Sequence, residues 1–166
     1  MIDLGGYTGV WAKQIIDKYN PNVYLLEPIK EFHDGMVNKF KDNPKVKILN
    51  VGVSTENKNG ILYFSADGTS SKPLSNNSIE VKFNTMESVL DNWGLTEIDL
   101  LQVNIEGDEY PLLENMIDTG LISKFKNVQI QFHYGIENDV RRRELIQNGL
   151  REKGYEIKFN YPFVWE

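Results

Sequence analysis

The chain has 166 residues, 40% hydrophobic and 25% charged, which is the make-up of one globular domain with a core of its own. Eighteen Lys and Arg against 24 Asp and Glu give a net charge of -6, which argues against a nucleic-acid surface built from clustered cations. There is no cysteine, hence no disulfide or thiolate metal site, and neither a signal-peptide pattern nor a long apolar run is present; a cytoplasmic setting without a membrane partner is expected.

Apolar runs and amphipathic stretches alternate along the chain. Ile2–Leu4 reads as a very short strand, and the glycine-rich run Asp3-Leu4-Gly5-Gly6-Tyr7-Thr8-Gly9 leads from it into a helix over Val10–Tyr19. Trp11, Ile15 and Tyr19 share one face of that helix, and Asn20-Pro21 ends it. Asn22–Leu26 is a second strand, Ile29–Phe40 a second helix and Lys45–Val51 a third strand. The alternation then lapses. Asn57–Gly60 is a turn, Ile61–Ser65 a strand, Asp67–Asn77 a polar loop and Ile79–Phe83 another strand. Thr85 caps a brief helix, Met86–Trp93, which stops at Gly94.

Ile98–Ile105 is almost continuously apolar and is expected near the centre of a parallel sheet. Glu109–Thr119 follows as a helix, Val128–Phe132 as a strand, and Asn138–Lys153 as a helix buried through Leu145, Ile146 and Leu150. Arg141-Arg142-Arg143 reads as a solvated face of that helix. Tyr155–Asn160 and Phe163–Trp165 are expected as two closing strands joined at Tyr161-Pro162. The sum is an α/β, mostly parallel, doubly wound sheet with an antiparallel C-terminal strand and a β-rich insertion around residues 57–83. Residues 1–166 form a single domain, and the three-residue first strand reads as the remnant of an N-terminal truncation.

In an open parallel sheet, ligands bind beyond the carboxyl ends of the strands, where strand order reverses. That rule selects the loop from Asp3 to Gly9, then Glu27, the Gly52–Ser54 turn, Asn104 to Glu109, and His133. The loop suits a dinucleotide, S-adenosylmethionine, or merely a tight turn. Its spacing, Gly5-Gly6-x-x-Gly9, is not the G-x-G-x-x-G of nicotinamide binders, and Asp3 suits a ligand with an ammonium group. Glu27, at the end of the second strand, is placed to hold ribose hydroxyls, and Pro28 fixes a sharp exit behind it.

Strand alternation puts Gln102 and Asn104 on one face, where buried amides need partners. Asp108 and Glu109 are explained by the helix dipole they precede, Glu106 less well. His133 is either a structural hydrogen-bonder or a base at a strand's carboxyl end. No metal site is expected; Glu106, Asp108 and Glu109 match no recognised magnesium or calcium spacing.

These residues resemble the FkbM family of methyltransferases. The resemblance runs through Asp3–Gly9, Leu26-Glu27-Pro28, Thr85–Val89, Ile98–Glu109, Gln129–His133 and Phe163–Glu166, nearly the whole chain. It implies a Rossmann-like class I methyltransferase fold, S-adenosylmethionine as cofactor, and methylation of a hydroxyl on a sugar or natural-product-like small molecule. On that reading Asp3, Gly5, Gly6, Tyr7, Thr8 and Gly9 line the methionine end of the cofactor, Glu27 and Pro28 meet the ribose, and Gly52 and Val53 border the adenine. Asn104 orients the ligand, and His133 and Glu106 are the candidate general bases, with His133 preferred. The family's usual Lys and Asp are replaced here by Gln102 and Asn104; an Asn is neither a base nor a firm metal ligand, but it still orients a ligand by hydrogen bonding. The competing readings are a NAD-dependent oxidoreductase, and a truncated methyltransferase-like domain that serves as a binding module.

Overall fold

The computed structural model describes residues 1–65, 68–70 and 78–161. Five parallel strands form the main sheet: β1 (Ile2–Leu4), β2 (Val23–Leu26), β3 (Val46–Leu49), β8 (Leu101–Val103) and β9 (Val128–Ile130), in the order β3-β2-β1-β8-β9. The chain winds outward from β1 through β2 to β3, then returns to the other side of β1 with β8 and β9. Strand order therefore reverses between β1 and β8, where Asp3 sits beside Gln102.

Two helices cover one face, α1 (Val10–Tyr19) and α2 (Lys30–Phe40). They enclose Val23 and Leu25 with Ala12, Met36 and Phe40. Ala12 is the buried residue of α1; Tyr19, expected on the same buried face as Trp11 and Ile15, is exposed. The opposite face carries α3 (Met86–Trp93), α4 (Glu109–Asp118) and α5 (Asp139–Glu152) over Ile2, Leu4, Leu26, Leu101 and Val103. Thr85 caps α3 as expected, its hydroxyl accepting the Ser88 N–H at 3.1 Å. In α5 the buried positions are Ile146 and Leu150, one helical turn apart, and Leu145 faces outward.

The β-rich insertion is a second sheet of β4 (Gly52–Ser54), β5 (Lys58–Ser65), β6 (Gly68–Ser70) and β7 (Ser78–Thr85), in the order β4-β7-β5-β6. Residues 52–54 are thus a strand, pairing parallel with β7, rather than a turn. Of the loop expected over residues 67–77, only Gly68–Ser70 is described, as β6, and the strand expected over Phe163–Trp165 lies outside the described residues.

Tyr155–Asn160 forms no strand, and the main sheet has no antiparallel member among the described residues. Side chains hold this segment instead of a backbone ladder. The Tyr155 hydroxyl is tied to the Ile122 and Phe125 carbonyls, and Arg143 and Gln147 of α5 both donate to Asn160 Oδ1. The arginine run is likewise engaged: Arg142 forms a two-pronged pair with Glu114 at 2.7 and 2.6 Å and lies over the Tyr110 ring, and Arg143 lies over Phe132.

Candidate functional site where strand order reverses

The glycine loop is drawn into the sheet by its backbone. Gly5 and Gly6 both donate their N–H groups to the Leu26 carbonyl, at 3.0 and 3.3 Å, so the loop curls over the end of β2. Gly5 adopts φ 80°, and a Cβ there would lie 1.9 Å from the Asn104 carbonyl oxygen at the end of β8. Gly6 and Gly9 make room for Met36 and Phe40 of α2 in the same way. The glycines thus answer to protein neighbours, which wedge the loop between β8 and α2. Lys39 of α2 adds a hydrogen bond to the Thr8 carbonyl.

Glu27 closes the same cradle from β2. It is 4% exposed, and its carboxylate accepts the Tyr7 N–H at 2.8 Å and the Ile29 N–H at 2.9 Å, one on each oxygen. Each oxygen keeps a second lone pair. Burial raises its pKa, and the two N–H groups oppose that rise. The Asn50 amide donates to the Glu27 and Pro28 carbonyls, both at 2.9 Å, and fixes the turn. Above it, Tyr7 packs edge-on against Phe32 with ring centroids 4.4 Å apart.

Beside the loop lies a group of acceptors. Asp3 and Gln102 are in register on neighbouring parallel strands, so their side chains share a face, and Asn104 follows one pleat beyond. Asp3 is 3% exposed, and no hydrogen bond to its carboxylate is found among the described residues. Gln102 Oε1 and Asn104 Oδ1 are buried without a donor. Burial, and secondarily the charge of Glu27, push the Asp3 pKa up to about 7. Buried acceptors in native proteins almost always have donors. This face is suited to a ligand that brings several.

A second cluster joins the turn after β8 to the segment that follows β9, which ends at Ile130 rather than at the expected Phe132. Glu106 sits in the left-handed region at φ 54°, and Gly107 follows at φ 106°. His133 Nε2 lies 3.6 Å from Glu106 Oε2, and its Nδ1 lies 3.1 Å from Glu109 Oε1. Burial acts to lower the His133 pKa, but the two carboxylates outweigh it and hold the ring at about 10. The Tyr110 hydroxyl donates to the His133 carbonyl at 2.8 Å.

The structure therefore brings Asp3, the glycine loop, Glu27, Pro28 and Asn104 together, and pairs Glu106 with His133. Gly52 lies against Pro28 and the Phe83 ring, since a Cβ there would meet them at 3.5 and 2.6 Å, and Val53 is buried in the main core. Two residues that matter here escape a sequence reading. Glu109 reads as a helix-dipole acid yet is fully buried against His133. Asn50, whose amide secures the Glu27 turn, carries no sequence signal. No group of His, Asp or Glu with the arrangement of a metal site occurs among the described residues.

A parallel sheet with its switch at a glycine turn, and an acid ending the neighbouring strand, define a Rossmann-like α/β domain. The chain matches the Methyltransferase FkbM domain over residues 3–157 and belongs to that family. Its fold is similar to the crystal structure of Methyltransferase FkbM from Methylobacillus flagellatus KT, with a TM-score of 0.61 at 16% identity. The similarity covers 91% of this chain and 36% of that one, so the chain spans little more than a third of that protein's length. No curated protein matches the chain.

Proposed function

We propose that this domain binds S-adenosylmethionine and methylates a hydroxyl oxygen of a sugar or natural-product-like small molecule. The observation that carries the reading is the set of buried acceptors around the glycine loop: the Asp3 carboxylate, Gln102 Oε1 and Asn104 Oδ1, with Glu27 across the loop. Asp3 and Asn104 suit the ammonium of the methionine end, and the remaining lone pairs of Glu27 suit the ribose diol. Family membership and the glycine spacing, Gly5-Gly6-x-x-Gly9 rather than G-x-G-x-x-G, together argue against the oxidoreductase alternative.

When bound, S-adenosylmethionine supplies a methyl on a sulfonium sulfur, and its displacement by the acceptor oxygen returns the bonding pair to sulfur. The protein's share is alignment and removal of the hydroxyl proton, the latter worth roughly 10²–10⁴-fold. With its pKa near 10, His133 is already protonated at neutral pH and has no lone pair to offer. Glu106 therefore takes the proton, and the preference between the two candidate bases reverses. At 3.6 Å the Glu106–His133 contact is an ion pair rather than a short hydrogen bond, so Oε2 keeps capacity for a hydroxyl donor.

Thermal denaturation tests the cofactor. S-adenosylmethionine and S-adenosylhomocysteine at about 100 times their Kd stabilise by roughly 2.7 kcal/mol, or about 5–10 °C in Tm for a chain of this size. NAD is expected to give no shift. Glu27→Ala is expected to abolish the shift with both S-adenosyl ligands while the variant still melts cooperatively. A NAD-selective shift, or an undiminished shift in the variant, contradicts the proposal.

A further inference from the structure

One side chain ties the turn after β8 to the segment that follows β9. Glu109 is fully buried at the start of α4. Its Oε2 accepts the Gly107 N–H at 2.7 Å. Its Oε1 accepts the His133 N–H at 2.8 Å and lies 3.1 Å from His133 Nδ1. An acid that only complements a helix dipole needs no burial and no such contacts. Without Glu109, both amides would lose their acceptor and the ring its Nδ1 partner.

We propose that Glu109 is a positioning residue of the methyl-transfer site, bridging Gly107 N–H, His133 N–H and His133 Nδ1 so that the ring is held with Nε2 toward Glu106. The proposal rests on the reading that Glu106 receives the acceptor's proton. The Glu109 bond to Gly107 steadies the turn that keeps Glu106 at φ 54°, and the ring contact fixes the cation facing Glu106. A fixed cation there orients the Glu106 carboxylate through its ion pair and leaves the acceptor hydroxyl as the proton source.

The charged and titratable surroundings of the ring support this assignment. From the turn after β8 comes Glu106, and from α4 come Glu109 and Tyr110. From β9 and its extension comes Gln131, whose Nε2 lies 3.5 Å from His133 Nε2. From α5 come Arg142 and Arg143, whose guanidiniums lie over the Tyr110 and Phe132 rings. The Arg142 charge is matched by Glu114, and the charged groups that act on the ring are Glu106 and Glu109.

The test is an NMR titration of the His133 ring nitrogens, which needs neither cofactor nor acceptor. In the wild-type chain both nitrogens are expected to stay protonated at about pH 8, well above the ordinary histidine value near 6.5. Glu109→Gln is expected to lower the midpoint by at least about one pH unit, with binding of S-adenosylmethionine kept within about threefold (under 1 kcal/mol). Glu109→Asp, which keeps the charge but draws it back by one methylene, serves if the amide variant does not fold, and is expected to shift the midpoint in the same direction. A neutral ring at that pH in the wild type, or an unmoved midpoint in the folded variants, overturns the proposal. If the wild type binds no S-adenosylmethionine, the functional reading fails separately, whatever the ring does.

Discussion

Gly5→Ala is expected to destabilise the chain by roughly 3–5 kcal/mol. Two independent costs add here. Placing an L-residue in left-handed backbone costs about 1–2 kcal/mol, and forcing an atom into a filled space costs about 1–3 kcal/mol or more. The second cost is at its upper end, because the methyl would lie 1.9 Å from the Asn104 carbonyl oxygen, a backbone atom held by its own bond from Asn104 N–H to the Leu4 carbonyl. A flexible side chain swings aside; this carbonyl does not. The matched control is Gly35→Ala, on the exposed side of α2 with nothing within 4 Å, where the change is expected to stabilise by up to about 1 kcal/mol. Urea denaturation of both variants gives the comparison. A loss below about 1 kcal/mol for Gly5→Ala would mean that β1 and β8 do not meet as closely as described.

Asp3→Asn is expected to move stability and binding in opposite directions. The carboxyl pKa rises on folding from 3.8 to about 7, mainly through burial and then through the charge of Glu27. Between those values the folded chain holds a proton that the unfolded chain has released, so stability falls as pH rises from about 4 to about 7. Above that range the penalty is fully present. A shift of about three units corresponds to roughly 4 kcal/mol as an upper figure, unscreened because Asp3 is buried. An amide has no such penalty. The variant is therefore expected to be more stable than wild type by roughly 2–4 kcal/mol at about pH 8, with the gap closing toward about pH 4.

Binding runs the other way. An ammonium stabilises the charged carboxylate, so wild-type affinity for S-adenosylmethionine is expected to rise between about pH 6 and 8, and Asn to weaken it at least about tenfold (about 1.4 kcal/mol) and flatten the pH dependence. Denaturation and binding curves at both ends of the range check both halves. A variant less stable than wild type at about pH 8 would show that Asp3 is structural rather than held for a ligand.

Much of the fold is legible because the local signals agree with one another. The apolar runs that became β2, β8 and β9 lie between amphipathic helices, and short connections leave a parallel sheet as the economical solution. The site is legible in part for the same reason: Asp3, Glu27, Asn104 and His133 all follow an apolar run. What stays hidden depends on partners far along the chain. The glycines look like room for a ligand, but Gly5 answers to Asn104, Gly6 to Met36 and Gly9 to Phe40.

Tyr155–Asn160 alternates like a strand, but its side chains are tied to the carbonyls of Ile122 and Phe125 and to Arg143 and Gln147, partners that local sequence does not reveal. Glu109 was open to the same ambiguity. An acid in the first turn of a helix has a sufficient local explanation, which conceals its contact with a histidine 24 residues away. His133 itself is readable as a residue of interest, but its charge state follows from two glutamates that only the fold sets around it.

The glycine loop, Asp3, Glu27 and Asn104 are together proposed to form an S-adenosylmethionine site. Calorimetric titration of the wild-type chain with that compound at about pH 8, where Asp3 is charged, tests it most directly. Saturable binding with one molecule per chain is expected. A cooperatively folded chain that releases or absorbs no heat, and shows no binding by a second equilibrium method, would contradict it.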